Sequence, residues 1–264
     1  MKIDLSGKTA VVTGSTAGIG RAIASGLAAA GAAVVINGRS RGTVDTAVAA
    51  LAKALPGAQV RGVAADVSTA EGCRALVAAV PQVDILINNA GIYQPKDFFE
   101  ISDEDWRNIF EVNVLSGVRL SRAYLKGMLE RNWGRIVFVS SESALNIPKE
   151  MIQYGTSKTA QLAVARGLAK LTTGSGVTVN SILPGPTRTE GVEGFLKAMA
   201  ARSGQSADQA AAAFVKQFRP SSLLQRLASV EEVANMAVYV CSREASATNG
   251  AALRVEGGIV DTIA

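Results

Sequence analysis

The sequence predicts an α/β fold built around a parallel sheet. Short runs rich in Val and Ile alternate with longer segments whose apolar residues recur at helical spacing, and this alternation is typical of consecutive β-α-β units. A glycine-rich turn joins the first strand to the first helix. Because no linker, low-complexity tract or solenoid repeat interrupts the pattern, we predict one domain over residues 1–264.

Each predicted element follows from this alternation. Strands are predicted at residues 9–13, 33–37, 60–64, 85–88, 135–140, 177–183 and 252–255. Helices are predicted at residues 19–30, 44–54, 71–80, 103–130, 154–171 and 230–241. Each of the first six strands is thus followed by a helix before the next strand begins.

Residues 190–222 depart from the alternation, since they separate the sixth strand from its helix. The segment is polar, rich in small residues, and holds two short amphipathic pieces at residues 195–201 and 210–218. Long insertions between core elements usually carry function. We therefore predict that residues 190–222 form a lid or substrate loop.

The composition limits the chemistry that the chain can perform. It contains no histidine, which excludes a Ser-His-Asp triad, a Cys-His pair and any His-ligated metal site. Cys73 and Cys241 fit no metal-ligand spacing and are predicted to be buried thiols, so no metal site is expected. Any proton transfer must then use Tyr, Lys, Asp or Glu.

Hydropathy and charge indicate a cytoplasmic protein with a small-molecule partner. We expect neither a membrane span nor a signal peptide, because no uncharged apolar run approaches about 18 residues and the N-terminus lacks an apolar core. The net charge is +5, yet Lys and Arg are scattered and aromatic residues make up only 5%. Nucleic acid is therefore not expected as a partner, whereas a phosphorylated cofactor or an acidic carrier would suit the positive charge.

The glycine-rich turn after the first strand is suited to a dinucleotide. Glycine lets the backbone turn tightly and approach a ligand, and a helix N-terminus offers free N–H groups and a positive dipole end to a pyrophosphate. The spacing Gly-x-x-x-Gly-x-Gly differs from the commonest dinucleotide fingerprint, but its place between strand and helix supports the prediction. The predicted cofactor contacts are Gly14, Ser15, Thr16, Gly18, Ile19 and Gly20.

The end of the second strand predicts a preference for NADP(H). An acidic residue here would bind the adenosine ribose and repel a 2′-phosphate, but the chain has Gly38 and Arg39. A charge-assisted hydrogen bond contributes roughly 1.5–3 kcal/mol, which would favour NADP(H) over NAD(H) by about ten- to a hundredfold. The alternative is that Arg39 is a solvated loop charge, in which case NAD(H) would also serve.

Further polar or small residues follow other strands at the carboxyl edge of the sheet, where ligands bind in open α/β folds. Asp66, after the third strand, would meet the adenine amino edge, or it would serve as a helix cap or turn residue. The remaining predicted cofactor contacts at this edge are Val67, Asn89, Ala90, Gly91, Pro184, Gly185, Thr187 and Thr189.

Tyr154 and Lys158 form a candidate acid/base pair. In a helix, residues four apart share a face. A fixed ammonium favours the phenolate and lowers a pKa that is about 10 in free tyrosine. Considered alone, the two residues would be ordinary surface neighbours. Ser141, at the end of the fifth strand, would orient a substrate oxygen nearby, while Asn113 would by itself be a buried, hydrogen-bonded amide.

Together these segments resemble the short-chain dehydrogenase/reductase family over essentially the whole chain. The matching pieces are residues 13–20, Asp66, residues 88–91, Asn113, Ser141, Tyr154 with Lys158, Pro184 and Gly185 with Thr189, and residues 256–258. The resemblance implies a doubly wound, Rossmann-like sheet of seven parallel strands in the order 3-2-1-4-5-6-7. It also implies a homotetramer or homodimer formed through the helices led by Asp103 and Tyr154.

The resemblance assigns a role to each of four catalytic residues. Tyr154 exchanges a proton with the substrate oxygen, and Lys158 lowers the pKa of Tyr154 and binds the nicotinamide ribose. Ser141 hydrogen-bonds the substrate oxygen, and Asn113 holds a water in a proton relay. Thr189 and the backbone after Pro184 would hold the nicotinamide carboxamide. Tyr154 and Lys158 therefore count as cofactor contacts as well.

The leading functional hypothesis is an NADP(H)-dependent oxidoreductase that interconverts a carbonyl compound and an alcohol. One alternative is a 3-oxoacyl-acyl-carrier-protein reductase, for which Lys126 and Arg131 would meet the acidic carrier. Residues 190–222 are longer than such reductases usually have in this region, which favours a compact substrate such as a sugar acid, a polyol or a small cyclic ketone. A non-catalytic, NADP-sensing protein is the alternative from another class, and the complete set of four residues argues against it.

Overall fold

Seven parallel strands form one sheet in the computed structural model, which describes residues 2–204 and 206–263. The strands are β1 (Thr9–Val12), β2 (Ala33–Gly38), β3 (Val60–Ala64), β4 (Ile85–Asn88), β5 (Gly134–Val139), β6 (Val177–Pro184) and β7 (Ala252–Val255). Their order is β3-β2-β1-β4-β5-β6-β7, which confirms the predicted doubly wound sheet. Met1, Gln205 and Ala264, and the side chains of Phe195, Met199, Arg202 and Ser203, lie outside the described part.

Helices cover both faces of this sheet. They are α1 (Gly18–Ala29), α2 (Arg41–Ala54), α3 (Ala70–Ala79), α4 (Asp103–Phe110), α5 (Ser116–Glu130), α6 (Ile152–Lys170), α7 (Glu190–Ser203), α8 (Ala207–Phe218) and α9 (Val230–Val240). The single helix predicted at residues 103–130 is divided, because a π-helical segment, Glu111–Leu115, separates α4 from α5. Such segments occur frequently at functional sites.

Two apolar clusters hold the layers together. One packs α1, α2 and α9 against the sheet, and the other packs α3, α5 and α6 against its opposite face. Side chains alternate between the clusters along each strand, so Val12 joins the first and Val11 the second. Both faces of the central strands are buried, which explains why their sequences are continuous apolar runs.

The parallel arrangement brings the carboxyl ends of the strands to one edge. The glycine-rich turn follows β1, Asn88 ends β4, Ser140 and Ser141 follow β5, and Pro184 ends β6. Segments far apart in sequence therefore meet where the sequence predicts a ligand.

Residues 190–222 contain a helical hairpin with its own small core. Helices α7 and α8 pack around a cluster of six buried residues, Leu196, Ala200, Ala210, Ala211, Val215 and Leu227. Arg188 joins the two helices, with its guanidinium 2.8 Å from a carboxylate oxygen of Glu193 and 2.6 Å from one of Asp208. The two short amphipathic pieces are thus parts of longer helices.

Within the described ranges, no helix combines the length and apolar character needed to span a membrane. Cys73 and Cys241 are buried free thiols, as the sequence predicts. The described residues contain no cluster of three or more acidic or thiol side chains that would hold a metal ion.

Candidate active site

The turn between β1 and α1 presents backbone N–H groups at the start of a helix whose N-cap residue has no capping side chain. Ala17 is the N-cap residue of α1 and provides no side-chain hydrogen bond. Gly14 and Gly18 have φ values of +60° and +56°, which residues with a side chain rarely adopt. A Cβ atom on Gly20 would lie 2.4 Å from Asn89 Nδ2, so this position requires glycine. The geometry suits an anionic pyrophosphate.

Ser15 holds this turn from inside the protein. Ser15 is fully buried, and its hydroxyl donates to the carbonyl of Val12 at 2.6 Å and accepts the N–H of Asn37 at 3.0 Å. Burial leaves the Ser15 side chain no access to the crevice. The location therefore differs from the direct cofactor contact predicted for Ser15.

Asn89 and Ala90 support the same turn from β4. The Asn89 side-chain amide donates to the carbonyls of Thr13 at 2.8 Å and Gly14 at 3.0 Å. The N–H of Ala90 donates to the hydroxyl of Thr13 at 2.9 Å. Both residues are half-buried, and the Asn89 side chain is engaged in fixing the turn.

The end of β2 lies beside the glycine-rich turn. A Cβ atom on Gly38 would come within 2.6 Å of Thr16 Cγ2, which shows how closely the two segments approach. Arg39 is exposed, and its guanidinium forms no ion pair with any residue in the described ranges. The Arg39 guanidinium, without an ion-pair partner among the described residues, thus lies where an acidic residue would indicate a preference for NAD(H).

Asp66 forms a turn before α3. Its Oδ1 atom accepts the N–H of Ser68 at 3.1 Å and the hydroxyl of Ser68 at 2.7 Å. This is the turn role that the sequence left open for Asp66, and the adenine contact stays a prediction. Val67, beside it, is buried in the apolar core, and its cofactor contact stays a prediction.

The two threonines after β6 occupy different environments. Thr187 is buried, and its hydroxyl donates to the carbonyl of Gly185 at 2.8 Å, so its side chain is not free for the predicted cofactor contact. Thr189 caps α7 by accepting the N–H of Val192 at 3.3 Å. A Cβ atom on Gly18 would lie 3.4 Å from Thr189 Cγ2, so Thr189 borders the glycine-rich turn.

The four predicted catalytic residues lie together at the carboxyl edge. The Ser141 side chain lies close enough to the Tyr154 hydroxyl to lower the pKa of Tyr154. The Lys158 Nζ atom lies 5.6 Å from the centre of the Tyr154 ring. A Cβ atom on Gly91 would lie 3.4 Å from both Lys158 Nζ and Asn113 Oδ1, so only a very small residue fits between them without displacing one.

Asn113 ties the chain after β4 to α6. Its side-chain oxygen accepts the N–H of Ile92 at 2.8 Å, and its amide nitrogen donates to the Ile92 carbonyl at 3.0 Å and the Ser157 hydroxyl at 2.9 Å. Its backbone carbonyl accepts the side-chain amide of Gln161 at 2.5 Å. These bonds explain its place in the π-helical segment, and the water-holding role of Asn113 stays a prediction.

Lys158 is a buried amine next to the tyrosine. Only 4% of the residue is exposed, and its Nζ atom donates to the carbonyl of Val139 at 3.0 Å. Burial disfavours the charged form and lowers the pKa of Lys158 to about 7. The amine therefore changes charge close to neutral pH.

The pKa of Tyr154 moves in the direction opposite to the one expected from a neighbouring ammonium. Burial of its hydroxyl raises the pKa to about 12, although the residue as a whole is only partly buried. The nearby Ser141 side chain lowers the pKa, and the negative charge of Glu142 raises it. Desolvation thus outweighs the stabilisation of the phenolate in this structure.

A buried ion pair that the sequence does not reveal lies beside Ser141. The Arg219 Nε atom donates to Glu142 Oε1 at 2.6 Å, and Glu142 Oε2 accepts the hydroxyls of Ser141 at 2.7 Å and Ser143 at 2.6 Å. Glu142 and Arg219 are 77 positions apart, so no local pattern reveals the pair. The only hint in the sequence is the position of Glu142 next to Ser141.

A second missed residue, Glu190, contacts the glycine-rich turn. Its Oε2 atom accepts the N–H of Gly18 at 2.9 Å, and its other oxygen pairs with Arg21. The carboxylate thus occupies an N–H group at the N-terminus of α1, where we expect a pyrophosphate.

The chain matches a known family over most of its length. A family model described as short chain dehydrogenase covers residues 8–200. The chain belongs to the short-chain dehydrogenase/reductase family. It is accordingly an oxidoreductase that acts on CH–OH and C=O groups.

Matches to individual short-chain dehydrogenases/reductases extend along the whole chain. YvaG of Bacillus subtilis (strain 168), an uncharacterized oxidoreductase, is 48% identical over 263 residues and is matched over 100% of both chains. FabG of Aquifex aeolicus (strain VF5), a 3-oxoacyl-(acyl-carrier-protein) reductase, is 34% identical over 98% of this chain and 100% of that protein. The crystal structure of L-sorbose reductase from Gluconobacter frateurii, complexed with NADPH and L-sorbose, matches with a TM-score of 0.94 at 33% identity, covering 100% of both chains.

Proposed function

We propose that this chain is an NADP(H)-dependent oxidoreductase that interconverts a compact ketone or aldehyde with its alcohol, with Tyr154 as the general acid and base. The observation that carries the proposal is the meeting of Tyr154, Ser141 and Lys158 at the sheet edge where the glycine-rich turn leads into the N-terminus of α1. A proton donor and a nucleotide crevice are thereby adjacent, as hydride transfer to a carbonyl requires.

The residues at the crevice fit a phosphorylated dinucleotide. The positive-φ glycines and the N-terminus of α1 suit the pyrophosphate, for which we propose contacts from Ile19 and, in place of the Glu190 carboxylate, from Gly18. The guanidinium of Arg39, which is exposed and has no ion-pair partner among the described residues, suits a 2′-phosphate. The full-length similarity to an L-sorbose reductase complexed with NADPH also supports NADP(H). When bound, the nicotinamide supplies or accepts the hydride.

The chain's own residues handle the proton. In reduction, Tyr154 gives its proton to the substrate oxygen, which Ser141 holds by a hydrogen bond. The raised pKa keeps Tyr154 protonated at neutral pH, which is the form that donates in reduction. Lys158, which is charged in part of the population at neutral pH, stabilises the phenolate that remains. Asn113 keeps this cluster in place through its bonds to Ile92 and Ser157.

We also propose that residues 190–222 act as a lid over a compact substrate. Arg219, at the end of α8, reaches the carboxylate beside Ser141, and Glu190, at the start of α7, reaches the glycine-rich turn. Both ends of the helical hairpin therefore contact the site. A lid that closes over the site would suit a compact polyhydroxy carbonyl compound, and the similarity to L-sorbose reductase supports this substrate class.

Reduction of a 3-oxoacyl group on a carrier protein is the second candidate, favoured by the 34% identity with FabG of Aquifex aeolicus. Lys126 is exposed and available to an acidic carrier. Arg131 is less available, because it donates to the carbonyl of Val83 at 2.8 Å and lies 3.8 Å from Asp84. A purely NADP-sensing protein would not need the assembled Tyr154 and Ser141.

For assembly and location we propose a cytoplasmic homotetramer or homodimer. An apolar groove along α5 and α6, lined by Leu125, Leu129, Leu168 and Leu171 among others, would pack against a second copy. Leu171 is 64% exposed in the single chain. The two free thiols fit a reducing compartment.

The test is oxidation of NADPH across a panel of carbonyl compounds. The panel contains ketoses, keto sugar acids, small cyclic ketones and acetoacetyl thioester, each assayed also with NADH. We expect turnover of a compact polyhydroxy carbonyl with a preference for NADPH. Turnover of the thioester alone would identify the carrier-protein reductase instead, and dinucleotide binding without any turnover would indicate a sensor.

A further inference from the structure

A buried ion pair connects the end of α8 to the serine that faces Tyr154. The side chains of Glu142 and Arg219 are 3% and 11% exposed, and their nearest charged atoms are 2.6 Å apart. The Arg219 guanidinium also donates to the carbonyl of Phe218 at 2.7 Å and lies 4.0 Å from Glu150. A buried carboxylate without this cation would be strongly unfavourable, so Glu142 depends on Arg219.

Glu142 determines which way the Ser141 hydroxyl donates. An ionised carboxylate can only accept hydrogen bonds, so the Ser141 hydroxyl donates its one proton to Glu142 Oε2 at 2.7 Å. The N–H of Ser143 donates to the Ser141 oxygen at 3.1 Å. A serine that donates to Glu142 cannot donate to a substrate oxygen or to the Tyr154 phenolate at the same time. The strength of Glu142 as an acceptor therefore controls what Ser141 offers to the reaction.

The same pair acts on Tyr154 through charge. The negative charge of Glu142 raises the pKa of Tyr154, and the positive charge of Arg219 lowers it. The other titratable groups near the hydroxyl are Tyr93, whose ring lies 6.2 Å from that of Tyr154, and Lys158 on the same helix. Arg219 belongs to residues 190–222, so the location of this segment determines how far Arg219 offsets the effect of the Glu142 charge on the pKa of Tyr154.

We propose that Glu142 and Arg219 form a positioning pair that links the position of residues 190–222 to the active site. The position of this segment then determines to which group Ser141 donates its proton and how readily Tyr154 gives up its own. When Arg219 is in place, it neutralises Glu142 and weakens the hold of Glu142 on the Ser141 proton. When residues 190–222 move away from the site, the Glu142 carboxylate loses Arg219 as its partner. It then holds the hydrogen bond from Ser141 more strongly, and its negative charge disfavours the phenolate form of Tyr154. Catalysis is thereby coupled to closure over the substrate. This inference rests on the proposed function.

The pH dependence of alcohol oxidation with NADP⁺ tests the pair, because the rate then follows the phenolate form of Tyr154. A charge within about 4–6 Å of a titratable group changes its pKa by about 1–3. Arg219→Met should move the rise of kcat/KM to higher pH by about one pH unit or more, and Glu142→Gln should move it to lower pH. Arg219→Lys, which keeps the charge, should recover most of the wild-type profile.

Two controls separate this role from simple support of the fold. Arg188→Met removes two ion pairs within the same segment without touching Glu142, so its profile should coincide with that of the wild type. In the Glu142→Gln background, Arg219→Met should have a much smaller effect on the profile than it has alone. If Arg219→Met fails to fold, Glu142→Gln and Arg219→Lys still decide the matter.

Opposite shifts for Glu142→Gln and Arg219→Met, with Arg188→Met unchanged, support the positioning pair. Shifts of the same sign, or no shift, in an active enzyme overturn the pair while leaving the proposed function intact. A wild-type protein that neither reduces nor oxidises any compound of the panel overturns the proposed function and the pair together.

Discussion

The ammonium nitrogen of Lys158 lies 5.6 Å from the centre of the Tyr154 ring, one turn further along α6. The same nitrogen donates to the carbonyl of Val139 at the end of β5. Lys158 is therefore anchored to the sheet beside the tyrosine, at a buried position where the charged amine is disfavoured. Burial has shifted both groups toward their neutral forms, since the pKa of Lys158 is lowered and that of Tyr154 is raised.

The first prediction concerns the stability cost of burying Lys158. Its folded pKa of about 7 lies below the ordinary 10.5, so between these values the unfolded chain binds a proton that the folded chain does not. Stability contributed by this group is therefore present above pH 10.5 and is lost as the pH falls toward 7. Lys158→Met should raise the free energy of unfolding near pH 6 by on the order of 1–3 kcal/mol while impairing catalysis.

Chemical denaturation near pH 6 and near pH 10 measures this effect. The gain from Lys158→Met should shrink at the higher pH. Lys53→Met, at an exposed position in the last turn of α2, serves as the control and should change stability by less than about 0.5 kcal/mol. A Lys158→Met variant that is less stable than the wild type near pH 6 would contradict this account of the buried amine.

The second prediction concerns the choice of dinucleotide. Arg39→Asp replaces an exposed cation by a carboxylate that repels a 2′-phosphate and accepts from a ribose hydroxyl. The ratio of kcat/KM with NADPH to that with NADH should fall by about ten- to a hundredfold or more. Arg41→Asp is the matched control, because Arg41 is also exposed but lies 3.6 Å from Asp45 within α2. Equal ratios for Arg39→Asp and the wild type would remove Arg39 from the 2′-phosphate site.

The third prediction concerns Glu190, whose carboxylate accepts the N–H of Gly18. A negative charge at this helix N-terminus opposes the approach of a pyrophosphate. Glu190→Gln keeps the shape and removes the charge, so the dissociation constant for NADP⁺ should fall by about two- to tenfold at low salt and by less at high salt. Titration calorimetry at two salt concentrations measures it.

Glu193→Gln is the control for Glu190→Gln. Glu193 lies in the same first turn of α7 but pairs with Arg188 at 2.8 Å and not with the glycine-rich turn. Its replacement should leave NADP⁺ affinity within about twofold of the wild type. Weaker binding in Glu190→Gln than in the wild type would mean that the carboxylate organises the turn for its ligand.

Local sequence patterns were sufficient for the sheet and for the edge at which the predicted site residues meet, while the roles of those residues stay predictions. Apolar runs identified the strands, and parallel pairing then placed the residues after β1, β4, β5 and β6 at one edge. The positive φ angles of Gly14 and Gly18 and the meeting of Tyr154 with Ser141 agree with that analysis. These features depend on neighbours in sequence or on sheet order alone.

Other features depend on contacts that no local pattern encodes. Glu142 meets Arg219 across 77 positions, and Glu190 meets Gly18 across 172, because the α7–α8 hairpin folds back over the site. The burial of Ser15 also escaped prediction, since its hydroxyl is used to join β1 to β2 rather than to face a ligand. The raised pKa of Tyr154 reflects desolvation, a quantity set by the whole surrounding structure.

The central claim is that the hydroxyl of Tyr154 carries the transferred proton. Tyr154→Phe removes that oxygen but keeps the ring, which packs near Tyr93 and Lys158. Steady-state turnover of the best panel substrate, measured beside NADPH affinity and melting temperature, is the most direct test. We predict that kcat falls by about 10²–10⁴-fold while affinity and melting temperature stay close to the wild type. A Tyr154→Phe enzyme that retains near-normal turnover would contradict the claim.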